Sequence, residues 1–221
     1  MKKRICIFFL LTVFSVGFLS ANVKMNLELG PVYTYFGSSA SFDGGHKSWT
    51  THTGGVNILF GVEFVKNFGV YVNANFAFGK EYWDKFSSKK HYYGDLEEVD
   101  LTYAIDSQFG FFYVFRPIKK LDLTLGAGIG IGGSGYKHTY AKASSILNAE
   151  RSQANIGGGI NFTVSYMFTK MVGIYGGVSD TLYAPVYIKY SDGKTKPIES
   201  TNTSGKIANS LNIKAGIRLV F

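Results

Sequence analysis

Ile207-Ala-Asn-Ser-Leu-Asn-Ile-Lys-Ala-Gly-Ile-Arg-Leu-Val-Phe221 is the stretch whose reading decides the fold. One set of alternate residues is Ile207, Asn209, Leu211, Ile213, Ala215, Ile217, Leu219 and Phe221. The other is Ala208, Ser210, Asn212, Lys214, Gly216, Arg218 and Val220. A repeat of two residues is the period of a β-strand, whose successive side chains point to opposite faces. Here one face is apolar and closes on an aromatic, and the other is mostly small or polar.

Seven earlier segments repeat the pattern, at about 24–36, 53–65, 69–79, 99–115, 121–132, 154–168 and 172–188. The last of these is less regular beyond Asp180, and Pro185 marks a bulge or an edge within it. Three connections are tight (66–68, 116–120, 169–171) and four are long (37–52, 80–98, 133–153, 189–206). Eight strands with short turns at one end and long loops at the other are the layout of an outer-membrane barrel. The expectation is therefore an all-β fold, a closed antiparallel eight-stranded transmembrane β-barrel. Both termini then fall on the short-turn, periplasmic side. No unit of 20–50 residues repeats, which argues against a solenoid.

The front of the chain agrees. Lys2, Lys3 and Arg4 precede an apolar run from Ile5 to Leu19, followed by the small residues Ser20 and Ala21. That is the make-up of a secretory signal peptide over 1–21, leaving a single barrel domain over 22–221. An uncleaved anchor is the competing reading, but the run is short for a membrane helix. Cys6 is the one cysteine and lies inside the signal, so the mature chain has neither a disulfide nor a thiolate metal site. Without the signal, 20 Lys and Arg face 15 Asp and Glu, an excess too mild and scattered to imply nucleic acid.

Strand five decides which face is outside. A soluble lipocalin-like barrel would keep its apolar face inside. The second face of this strand is Asp122, Thr124, Gly126, Gly128, Gly130 and Gly132, and strand six repeats the theme with Asn155, Gly157, Gly159, Asn161, Thr163 and Ser165. Glycines in a row suit a narrow interior and make a poor solvated coat. The opposite faces are nearly continuous aliphatic and aromatic surface, which lipid covers and water does not. The aromatics also sort by height: Phe64, Tyr113, Phe115, Tyr166, Phe168 and Phe221 near the short turns, Tyr33, Tyr35, Phe78 and Tyr103 near the long loops. Two girdles match two membrane interfaces.

The expected lumen charges are Glu28, Glu63, Asp106, Asp122, Lys214 and Arg218. Closure makes the first and last strands neighbours and brings Glu28 to the height of Arg218. Buried charge needs partners. The reading is a network in which Arg218 and Lys214 bridge Glu28 and Glu63, with asparagines filling the upper lumen. In one version the network only holds a plugged barrel together; in another it lines a polar path for a small solute. The other inner positions are expected to be small or polar.

No cofactor or metal is expected. Gly128-Ile-Gly130-Ile-Gly132-Gly133 fits a dinucleotide fingerprint but sits inside a strand and opens no helix. His46, His52, His91 and His138 lack ligand spacing. Ser48 or Ser87 with His52 or His91 and Asp84 or Asp95 assembles a triad only on paper, so the reading is not an enzyme. Function is expected in the loops. Tyr82, Trp83, Phe86, Tyr92 and Tyr93, set among lysines, are candidate contacts for an extracellular protein or glycan. Ala141 to Arg151 is read as a short helix in the third loop.

Ala215-Gly216-Ile217-Arg218-Leu219-Val220-Phe221 resembles the C-terminal signal read by the barrel assembly machinery, with Ile217, Leu219 and Phe221 as its key positions. Over the whole mature chain the pattern resembles the small outer-membrane barrels of the OmpX, OmpW and opacity-protein type. The resemblance implies residence among outer-membrane lipid, insertion by that machinery and escort by periplasmic chaperones. It also implies one of two roles: a platform whose loops bind partners, as in opacity-type adhesins, or an OmpW-like narrow channel for small, hydrophobic solutes.

Overall fold

The computed structural model describes residues 23–42, 45–88, 92–142, 145–191, 198–200 and 207–221. The expected signal peptide, 1–21, lies outside them. The strands in chain order are β1 (Lys24–Phe42), β2 (Gly45–Val65), β3 (Phe68–Ser88), β4 (Tyr92–Ile118), β5 (Leu121–Lys142), β6 (Ser145–Met167), β7 (Val172–Ser191), the three-residue β8 (Ile198–Ser200) and β9 (Ile207–Val220). Every pairing is antiparallel. Sequential neighbours pair from β1 to β7, β9 pairs with both β7 and β1, and β8 adds only to the outer end of β7. Eight long strands thus close into a barrel, and closure leaves the wall without an edge to satisfy in lipid.

The register can be followed around the wall. Glu28 lies opposite Leu59, then come Asn73, Gln108, Gly130, Gly157, Tyr183 and Ala208, and the circuit returns to β1 at Ser38. The start and finish are ten residues apart on one strand. For eight strands that stagger sets a tilt of about 40°. The seam closes at its foot with Phe221, which both donates to and accepts from the Met25 backbone, at 2.8 and 3.1 Å.

The alternation in β9 sorts as the sequence predicts. Ile207, Leu211, Ile213, Ile217 and Phe221 are 39–58% exposed on the outside, whereas Ala208, Ser210, Asn212, Lys214 and Arg218 are no more than 3% exposed. The same division runs round the barrel: Leu29, Phe60, Phe76, Phe109, Ile129, Ile160 and Val178 all face outward. The lower girdle is a chain of touching rings. Phe68 lies 5.7 Å from Phe111 and 5.8 Å from Phe64, and Tyr166 lies 5.8 Å from Phe168. From Phe115 up to Tyr103 on β4 the rise is roughly 30 Å, enough for the apolar layer of a membrane.

Three expectations are corrected. The long loops are largely strand: β4 has 27 residues, where a tilted strand needs ~9–11 to cross a bilayer. Paired ribbons continue above the girdle to Phe42↔Gly45, Ser87↔Tyr92 and Lys142↔Ser145. The expected helix over Ala141–Arg151 is accordingly absent from the described residues. The described part of that segment extends the β5–β6 ladder, from Tyr136↔Arg151 to Lys142↔Ser145, while an isolated helix of that length is marginal in water. The lumen, finally, is not only small and polar. Leu59, Tyr71, Phe112 and Val114 form one buried apolar layer, and Phe36, Trp49, Ala104, Tyr136, Tyr183 and Ala208 form another.

These large side chains explain the glycine rows. A Cβ on Gly126 would lie 2.7 Å from the Tyr71 ring, and one on Gly132 would lie 2.9 Å from the Tyr183 hydroxyl. Small residues on β5 make room for tyrosines that reach over from β3 and β7, two strands away on either side. Pro185 does mark a bulge: Asn155 pairs with Pro185 and Ala154 with Tyr187, leaving Val186 unpaired. Up to the bulge the outward alternation continues through Leu182, Ala184 and Val186.

Candidate functional site

The candidate site is the lumen, built in layers from the short-turn end. At its foot five charged residues alternate in sign. Glu63 meets Arg116 at 2.5 Å, Arg116 meets Asp122 at 3.2 Å, Asp122 meets Arg218 at 3.3 Å and Arg218 meets Glu28 at 3.4 Å. Five different strands contribute, so the chain of charges laces the barrel wall together. The Lys66-Asn67 turn supports it. Asn67 adopts φ 68°, a left-handed conformation Asn tolerates, and from there its Oδ1 accepts from Arg116 at 2.5 Å while its backbone N donates to Glu63 at 2.9 Å.

Arg218 and Glu28 pair as the sequence implied. The bridge to Glu63 does not: its partner is Arg116, and Lys214 reaches no carboxylate among the described residues. Lys214 lies higher and donates to Asn73 Oδ1 at 2.9 Å. The sequence pattern assigns Arg116 to the tight turn 116–120. β4 in fact runs on to Ile118, and Arg116 shares the inward parity of Phe112 and Val114, which was the signal available to find it.

Above the charges and the Leu59–Tyr71 layer lies an amide cluster. Asn57 Nδ2 donates to Asn73 and Asn75, both at 2.7 Å, and its Oδ1 accepts from Tyr175 OH at 2.9 Å. Asp106 sits next, accepting from Asn212 Nδ2 at 2.6 Å and from Tyr183 OH. Gln108 links Tyr71 OH at 3.1 Å to Thr181 at 2.6 Å. The outer mouth is then covered by Phe36, Trp49, Tyr136 and Tyr183, all buried, with the Arg151 guanidinium 5.3 Å from the Trp49 ring centroid. A cation over an aromatic face is attractive in its own right.

Between the charge chain and the lower apolar layer is a cavity of about 10 Å³. Glu28 Oε2, Thr124 Oγ1, Asn161 Oδ1, Thr163 Oγ1 and Arg218 Nε belong to residues that line it, and none has a protein partner. Acceptors, hydroxyls and a guanidinium donor around a space of that size suit a single water.

A larger groove of about 730 Å³ lies on the outside of the wall, where the β7–β9 ladder ends at Tyr183↔Ala208. It is bordered by Tyr35, Ser39, Thr50, His52, Leu182 and Asn209. Ser48 and His52, two members of the paper triad, both line it. His52 Nδ1, however, is taken by the Tyr33 hydroxyl, and the Asp84 side chain lies outside the described residues. The backbones of Tyr82, Trp83 and Phe86 belong to β3 and those of Tyr92 and Tyr93 to β4. Phe86 lies opposite Tyr93, so these candidates ride on a ribbon rather than an irregular loop, and their side chains lie outside the described residues.

The family model described as a domain of unknown function, DUF2715, matches residues 18–221. The chain belongs to that family. No curated protein matches the sequence. Solved structures match its fold. The outer membrane protein OprG from Pseudomonas aeruginosa is 11% identical, with a TM-score of 0.57, over 91% of this chain and 97% of that one. A major outer membrane protein from Thermus thermophilus is 11% identical, with a TM-score of 0.54, over 86% and 99%. The outer membrane protease OmpT from Escherichia coli is 10% identical, with a TM-score of 0.51, over 91% and 98%. At such identities the likeness is one of fold: this DUF2715 chain has the closed barrel of small bacterial outer-membrane proteins.

Proposed function

We propose that the protein is an integral barrel of the bacterial outer membrane that works as a rigid, non-catalytic platform, presenting paired ribbons to an extracellular protein or glycan. The observation that carries the reading is the filled lumen. Charges, amides and two apolar layers occupy the interior, and eight strands enclose only enough room for side chains. With the interior filled among the described residues, what remains for contact with the surroundings is the set of ribbons above the outer girdle. Tyr82, Trp83, Phe86, Tyr92 and Tyr93 are the residues most suited to it. Both termini lie on the periplasmic side in this reading. Ile217, Leu219 and Phe221 then serve the assembly machinery after delivery by periplasmic chaperones.

A second reading has one observation in its favour. The outer groove borders the point where β7 and β9 part, and a small hydrophobic solute entering from above would leave sideways there into lipid, as in an OmpW-like channel. Planar-bilayer recording on refolded protein separates the two. Silence across a range of voltages supports the platform, and steady unitary currents refute it.

A further inference from the structure

The charge of the chain is unevenly placed. At the short-turn end stand seven cations, Lys24, Lys66, Arg116, Lys119, Lys120, Lys170 and Arg218, against three carboxylates, Glu28, Glu63 and Asp122. The rest of the mature chain carries thirteen cations against twelve carboxylates, so nearly all of its positive excess lies at one end. All three of those carboxylates are already paired with Arg116 or Arg218. The five lysines are exposed, and among the described residues no carboxylate lies within ion-pair distance of any of them.

Their neighbours give the second observation. Each lysine stands within two residues of a large apolar side chain turned outward: Met25 beside Lys24, Phe68 beyond Lys66, Ile118 before Lys119 and Lys120, Met171 after Lys170. All three short turns carry one or two of them. The mouth between the turns is a vestibule of about 600 Å³ bordered by four of these lysines, by the already paired Glu63 and Asp122, and by Phe168 and Val220. An ammonium just beyond a girdle of apolar side chains lies at the level of lipid phosphate, and each such cation adds to the hold on an anionic surface.

We propose that the short-turn end is a docking surface for anionic phospholipid headgroups, whose phosphates sit among Lys24, Lys66, Lys119, Lys120 and Lys170. The proposal rests on the membrane-spanning reading above and goes beyond it by assigning a lipid class to one leaflet. A free anion in the vestibule would use the same ammonium groups but would not need the flanking apolar residues.

Native mass spectrometry on the refolded chain tests it, in micelles holding equal phosphatidylglycerol and phosphatidylethanolamine. The chain is expected to retain phosphatidylglycerol roughly tenfold over phosphatidylethanolamine. The preference falls below about twofold in K66Q/K119Q/K120Q/K170Q and stays intact in K80Q/K137Q/K189Q, which removes cations from the opposite end. Equal retention of the two lipids overturns the proposal, as does loss of preference in the opposite-end variant. Displacement by inorganic phosphate at constant ionic strength also overturns it, in favour of a free-anion seat. Heat-dependent gel mobility confirms that each variant has folded. A parent chain that never reaches the heat-modifiable form overturns the membrane reading, and the lipid proposal with it.

Discussion

Replacing Arg218 with Met keeps the volume of the side chain and removes its charge. Arg218 is 3% exposed and holds Glu28, itself 2% exposed, together with Asp122 and Ser165. The loss is uneven across these partners. Asp122 keeps Arg116 at 3.2 Å and Ser165 is neutral, so the main consequence is a buried Glu28 without its cation. Breaking a buried pair from one side typically costs 3–5 kcal/mol, and about 3 kcal/mol is expected here because Asp122 keeps a partner. The double variant E28Q/R218M removes both charges and is expected to recover more than half of that loss. R116M touches a guanidinium that is 29% exposed at the open rim, where water screens what remains, and about 1 kcal/mol is expected. Urea-dependent folding equilibria in lipid vesicles, read by heat-dependent gel mobility and fluorescence, give all three numbers, with the single variant E28Q measured beside them to close the cycle. R218M within about 0.5 kcal/mol of the parent, or a double variant whose loss is the plain sum of the singles, refutes the network.

Gly128→Ala should destabilise by about 2–3 kcal/mol, because its Cβ would lie 2.2 Å from the Phe109 carbonyl oxygen and neither backbone can yield; Gly133→Ala, whose Cβ meets only the Gln153 oxygen at 3.7 Å, should be neutral in the same assay. A high-resolution crystal structure should show one ordered water between Glu28 Oε2, Asn161 Oδ1 and Arg218 Nε. Side chains rotated to pair directly across that cavity would contradict the reading.

The wall of the barrel was legible because lipid and lumen impose opposite demands on alternate residues. Ile213 and Lys214 cannot exchange places, and that contrast survives in a bare sequence. The three short turns were legible for the same reason, as breaks in an otherwise steady period. The lumen was harder. Inward Tyr71, Phe112 and Tyr183 look like outward aromatics until the register is known, and what lets them fit is glycines far away in sequence, those of β5 for the two tyrosines and Gly69 of β3 for Phe112. Glu63 found an unforeseen partner because Arg116 lay one step beyond the assumed end of a strand. The ribbons were missed because alternation in water, with polar residues on both faces, carries no hydrophobic signal, although the hydrogen-bond ladder continues through it. In the β5–β6 ribbon the pairing of His138 with Ala149 is backbone chemistry that side-chain pattern does not report.

The ribbon pairing constrains how relatives of this chain can differ in length. Phe42 against Gly45 and Lys142 against Ser145 are rungs of ladders that run unbroken down to the membrane. One residue added to a single arm would turn every side chain above it to the wrong face, or demand a bulge. Two residues on each arm would keep both the faces and the rungs in step. Insertions and deletions among homologues should therefore gather at the hairpin tips or arrive in compensated twos, and an alignment of such chains would read the ladder directly from its gap lengths.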